Sequence, residues 1–158
     1  MAYANTTVVP VERSKSQIEA LLVKYGAEGY HTGWQAATAD EPGWDAIEFL
    51  WKNRTIRFRV PRAVARVNNK TQPWAADRWG GLLSGAKLQK AIEQRDRQRW
   101  RVLFLVIKAK LEAVDNGIGI FEEEFMAFIV TGHGQTVGEV LLPRLAAGAG
   151  PLMLAAGA

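Results

Sequence analysis

The side chains that could do chemistry in this chain are few, and most are cations. Carboxylates gather once, at Glu122, Glu123 and Glu124 with Glu112 and Asp115 just upstream, a set that in principle holds Mg²⁺ for a nuclease. Three consecutive glutamates at a helix start point in different directions, however, and the positive end of the helix dipole accounts for them. There are two histidines, His31 and His133, and no cysteine. Disulfides, zinc-thiolate sites and cysteine nucleophiles are thereby excluded. Neither histidine has a third partner that would make it a base or a ligand. The sequence has no GxxxxGK[ST], no GxGxxG after a strand and no HExxH, and the glycines of WGGLLSGA (79–86) are too irregular for a phosphate loop. These residues point to a protein that is not an enzyme and uses no metal and no cofactor.

The cations are segregated. Of 158 residues with a net charge of +4, the segment 52–110 holds 16 Lys and Arg against three acids, and the remainder holds four against 13. Such a segment attracts phosphate backbones by counterion release, or an acidic protein surface by complementarity. Between residues 61 and 85, Arg62, Arg66, Lys70 and Arg78 alternate with Trp74 and Trp79. Cations for phosphates and indoles for stacking on bases compose a nucleic-acid-binding loop. The alternative is that both indoles cover a sheet edge or pack under a helix, since tryptophan is mostly buried. Lys52, Arg54, Arg57 and Arg59 precede this loop, and Lys90, Arg97 and Arg101 follow it.

Three elements must position these residues. Residues 86–115 contain no Gly or Pro and read as one long helix. Trp100, Leu103, Phe104, Ile107, Leu111 and Val114 fall within roughly a 100° arc of it, the width of a core stripe. Lys90, Arg97, Arg101 and Lys108 form a basic ridge beside that stripe, within roughly 40°. Before it, WDAIEFLW (44–51) and RTIRFRV (54–60) alternate with period two and are joined at Lys52-Asn53. A two-residue turn there pairs Trp51 with Arg54, Phe49 with Ile56, Ile47 with Phe58, Glu48 with Arg57 and Ala46 with Arg59. Large apolar residues then share one face and an opposite-charge pair lands on the other. YHTGWQAAT (30–38) supplies a first strand, followed by an ADEPG turn.

The chain ends read more simply. Residues 1–13 form an extended arm, and Ser14 with Gln17 makes a capping box for a helix over 15–25 that Gly26 closes. Asn116-Gly117 ends the long helix. A short helix follows over 121–128, then a strand or turn around Gly132 and Gly134. Thr136 with Glu139 caps a last helix, which Pro143 bends or ends. Residues 148–158 are a small-residue apolar tail.

Two resemblances follow from these segments. VPVERSKSQIEALLVKYGA (9–27) and IKAKLEAVDNGIGIFEEEFMAFIV with GQTVGE (107–139) resemble small uncharacterised proteins encoded in phage and prophage genomes, a family that implies no activity. The order helix, three antiparallel strands, long helix is similar to the core of the single-strand annealing proteins of phages and the strand-annealing recombination proteins of eukaryotes. That resemblance implies a basic groove lined by residues 30–60 and 86–115 on an oligomeric ring.

The expectation is one α+β domain over 1–158: an N-terminal helix, a three-stranded antiparallel sheet with a hairpin, one long basic helix and short C-terminal helices. The N-terminus lacks a secretory pattern and no apolar run approaches ~20 residues, so a cytoplasmic protein is expected. Its expected partner is nucleic acid, single-stranded DNA favoured, bound by a homo-oligomer. The alternative is an interaction module, a phage regulator or inhibitor docking on an acidic host protein.

Overall fold

The computed structural model describes residues 4–148. The chain runs through helix α1 (Val11–Lys24), strands β1 (Gly29–Gln35), β2 (Trp44–Trp51) and β3 (Arg54–Pro61), a small ladder of β4 (Arg66–Val67) and β5 (Lys70–Thr71), the 31-residue helix α2 (Gly85–Asp115), then α3 (Phe121–Phe125) and α4 (Val137–Ala147). This is the α+β order read from the sequence. β1, β2 and β3 form an antiparallel sheet in that order.

The hairpin has the expected register. Lys52 and Asn53 sit at φ 48 and 60, the left-handed pair of a type I′ turn, whose twist matches that of the flanking strands. Trp51 pairs with Arg54, Phe49 with Ile56 and Ile47 with Phe58. Phe49, Ile56, Ile47 and Phe58 are buried in one core with Trp100, Leu103, Ile107 and Leu111 of α2 and with Ile18 and Leu22 of α1, and Trp51 packs half-buried against it. The sheet therefore lies against both helices, and α2 supplies the buried stripe that its spacing requires.

The start of α1 departs from expectation. The helix begins at Val11 behind Pro10, which stands at the N-cap in extended conformation. Starting there brings Val11 against the core, which outweighs one side-chain cap. Ser14 is consequently inside the helix, its N–H bonded to the Pro10 carbonyl at 3.1 Å. Its side chain is buried and its hydroxyl has no partner among the described residues. An unpaired buried hydroxyl costs about 1–3 kcal/mol, whereas loss of a cap costs about 1. Ser14→Ala should therefore raise stability in urea unfolding; a loss of stability would restore the capping role. At the other end Gly26, at φ +88, closes the helix as expected. Its N–H reaches the Val23 carbonyl at 3.0 Å and that of Ala27 reaches Leu22 at 2.9 Å.

Other boundaries shift for local reasons. The arm is helical from Val11 on, and its first described residues dock on α2, where Gln94 donates to the Thr7 carbonyl at 2.9 Å and Gln98 to that of Asn5 at 2.6 Å. β1 ends at Gln35, because the chain turns back at Gly43, where a Cβ would lie 2.9 Å from the Gln35 carbonyl oxygen. The connection 61–85, read as lacking regular structure, holds β4, β5 and the 3₁₀ turn Pro73–Ala75. Asn68 and Asn69 turn the ladder at φ 49 and 61, and the 3₁₀ turn packs on α2 with Ala75 buried. Asparagine tolerates that conformation, so no glycine marks the turn. The helix after α2 is α-helical only to Phe125 and continues as a 3₁₀ turn, Met126–Phe128.

The capping box of α4 is present as expected: the Glu139 N–H reaches Thr136 Oγ1 at 3.2 Å and the Thr136 N–H reaches the Glu139 carboxylate at 2.7 Å. α4 runs on through Pro143 to Ala147, so the proline does not end it. Residues 149–158 of the expected tail lie outside the described residues. Among those described, no helix is long and apolar enough to cross a membrane.

Candidate nucleic-acid interface

The candidate cations divide into two groups. The first lies on the hairpin and is paired. Arg57, expected opposite Glu48, makes an ion pair with it and donates to the Gly134 carbonyl at 2.7 Å. Arg59 pairs with Glu139 of α4 and lies 4.4 Å from the Trp44 ring. Arg54 faces Glu122 at 3.5 Å and Arg62 donates to Asp45 at 3.0 Å. The hydrogen bond to Asp45 holds the Arg62 guanidinium above its ordinary pKa. Lys110 faces Glu124 at 3.6 Å. Five of the 16 cations in 52–110 are thus matched by acids from outside that segment. Glu122 of α3, read as favouring the helix dipole, and Glu139 of α4, read as a capping residue, also reach arginines of the sheet. A matched pair adds little to the field felt by a polyanion at Debye-length range. Lys52 has no carboxylate partner among the described residues, and its ammonium lies 5.5 Å from the Trp51 ring.

The second group is unpaired among the described residues. Arg66 and Lys70 are exposed on β4 and β5. Arg78 and Trp79 follow in a turn built by Asp77, whose Oδ1 accepts the N–H of Trp79 at 2.8 Å and of Gly81 at 2.9 Å. That turn holds Trp79 77% exposed, with the Arg78 guanidinium 3.8 Å from its ring. Trp74 is half-buried at the 3₁₀ turn, so the two indoles part ways: one packs against the fold and one faces solvent.

On α2, Lys90, Arg97, Arg101 and Lys108 keep the ridge geometry and none has a carboxylate partner among the described residues. Arg97 donates to Gln94 Oε1 at 2.7 Å, and Arg101 to Gln17 Oε1 of α1 at 2.8 Å while lying 4.5 Å from the Phe104 ring. Neutral amides aim these guanidinium groups and leave their charge uncompensated. Lys87 extends the same ridge one turn earlier and is exposed; the sequence reading omitted it, although its spacing from Lys90 was the available signal. Arg95 and Arg99 were also missed, and they lie on another side of α2.

Other candidate chemistry is engaged structurally. Glu122 and Glu124 face cations, and among the described residues no group of three or more His, Asp or Glu side chains is placed to hold a metal ion. His31 Nδ1 lies 3.5 Å from the Glu48 carboxylate on the exposed sheet face. The Asp96 carboxyl is raised above its ordinary pKa by burial, which outweighs the Ala63 N–H it accepts at 3.1 Å and the nearby Arg99. Comparison of the chain with family models, with curated proteins and with solved structures gives no match.

Proposed function

We propose that this chain binds single-stranded nucleic acid through the unpaired cations of residues 66–79 and of the α2 ridge, with Trp79 stacking on a base. One observation carries the reading: ion pairing removes the hairpin arginines from play and, among the described residues, leaves Arg66, Lys70, Arg78, Lys87, Lys90, Arg97, Arg101 and Lys108 without carboxylate partners, beside an indole held 77% exposed. The cations supply affinity along a backbone whatever its sequence. A solvent-facing indole carrying its own guanidinium suits an unstacked base, which favours a single strand over a duplex. The likeness to phage strand-annealing proteins points the same way, and DNA is the favoured strand.

A homo-oligomer belongs to this reading. The outer edge of β3 is partly closed by Val130, whose N–H reaches the Thr55 carbonyl at 2.8 Å. β1, with no charged residue or proline in GYHTGWQ, has no backbone partner on its outer edge among the described residues. An edge without protective devices is a site for strand pairing with another copy. Repetition would convert modest affinity per subunit into tight binding along a strand.

Docking on a host protein is favoured instead by one feature, the exposed Leu142 and Leu145 of α4. A mobility shift with single- and double-stranded oligonucleotides at two salt concentrations, read beside the particle mass, separates the readings. The expected result is a salt-sensitive shift, stronger for single strands, by a particle larger than one chain. Trp79→Ala should weaken single-strand binding about 5- to 100-fold without altering the fold, as loss of one stacked base does. Unchanged affinity would take Trp79 out of the site.

A further inference from the structure

Between the arm, the end of β3 and α2 lies a groove of about 400 Å³. Its walls are apolar: Ala4, Val60, Leu103, Val102 and Val106. Arg95 and Arg99, one helical turn apart on α2, line it as well. Like charges at that spacing repel, and neither has an ion pair among the described residues. Among the described residues Arg95 reaches only Gln98 Oε1, at 3.3 Å, and its buried Nε has no partner. Arg99 donates to the Pro61 carbonyl. Burial and the neighbouring Arg95 hold Arg99 below its ordinary pKa, with Asp96 opposing them; the Asp96 carboxylate is itself occupied by the Ala63 N–H. Arg59, the third arginine at the rim, is spoken for by Glu139. An unbalanced pair of cations thus stands over apolar walls, in a site separate from the α2 ridge.

We propose that this groove binds an amphipathic carboxylate, with Arg95 and Arg99 taking the head and the apolar walls taking an alkyl chain. Guanidinium groups match a planar carboxylate with paired N–H donors, and a carboxylate seated there would balance the two cations that line the groove. At roughly 30 Å³ per small group, the liquid volume of a water, the groove accommodates about a dozen heavy atoms. A ten-carbon fatty acid has that size. This site goes beyond the nucleic-acid reading and stands or falls without it.

The test is calorimetric titration of the full chain with decanoate, acetate and decyltrimethylammonium below their micellar concentrations. Decanoate should bind saturably, one per chain, with acetate and the cationic amphiphile at least tenfold weaker. Arg95→Met should lower decanoate affinity tenfold or more. Val106→Asp, a change at a partly exposed position that leaves both arginines in place, should lower it as much by charging the wall. Lys87→Gln with Lys90→Gln, on the ridge, should leave it unchanged, which separates this site from nucleic-acid binding. No saturable binding of decanoate, equal binding of the cationic amphiphile, or full affinity in both groove variants would overturn the proposal.

Discussion

Phe58→Ala is expected to lower the free energy of unfolding by about 3–5 kcal/mol, the cost of truncating a fully packed aromatic side chain. Phe58 is 4% exposed and sits where three parts of the chain meet. It stacks on Phe128 at 4.1 Å between centroids, meets the edge of Phe125 at 6.3 Å and lies 6.5 Å from Phe49 of β2. A cavity there is walled by the sheet and by the segment that follows α2, so neither can collapse into it alone. Urea unfolding of the variant measures the loss. A change below about 1 kcal/mol would mean that residues 121–128 do not pack on the hairpin.

That packing marks the limit of what the sequence discloses. The hairpin was legible because two local signals agree: a period of two that sorts apolar from charged residues, and a two-residue gap that sets the register. The Glu48–Arg57 pair came with it. The partners of Arg54 and Arg59 did not, because Glu122 and Glu139 lie beyond α2 and reach the sheet only when α3 and α4 fold back. Thr136 with Glu139 was readable as a capping box and is one. Ser14 with Gln17 has the same pattern but loses to Pro10, since a four-residue pattern cannot weigh the burial of Val11. Trp74 and Trp79 were indistinguishable by composition, and only the Asp77 turn decides which indole is solvent-facing. Arg95 and Arg99 were overlooked because a basic helix shows which cations share a face without showing what that face meets.

The second large effect concerns charge. Replacing Lys87, Lys90, Arg97 and Arg101 together by Gln keeps the side-chain stems, and with them the apolar area those stems cover. Each cation that neutralises a phosphate of a single strand contributes about 0.7 to the slope of log affinity against log salt. The quadruple variant should therefore lose close to three units of slope and bind far more weakly at low salt, while its unfolding curve stays near that of the native chain. Arg57→Gln with Arg59→Gln should behave in the opposite way. It takes from Glu48 and Glu139 their cationic partners, which costs stability, and it changes the slope by less than one unit. If the hairpin variant loses the slope and the ridge variant keeps it, the ion pairs open on binding and the interface belongs on the sheet.

The most direct test of the central claim is the salt dependence of the native chain's affinity for a single-stranded DNA oligonucleotide, followed by fluorescence anisotropy from about 50 to 300 mM salt. Eight cations unpaired among the described residues, in 66–79 and on the α2 ridge, predict a slope of about −4 to −6 on the log–log plot. Absence of binding at the lowest salt, or a slope near zero, would contradict it.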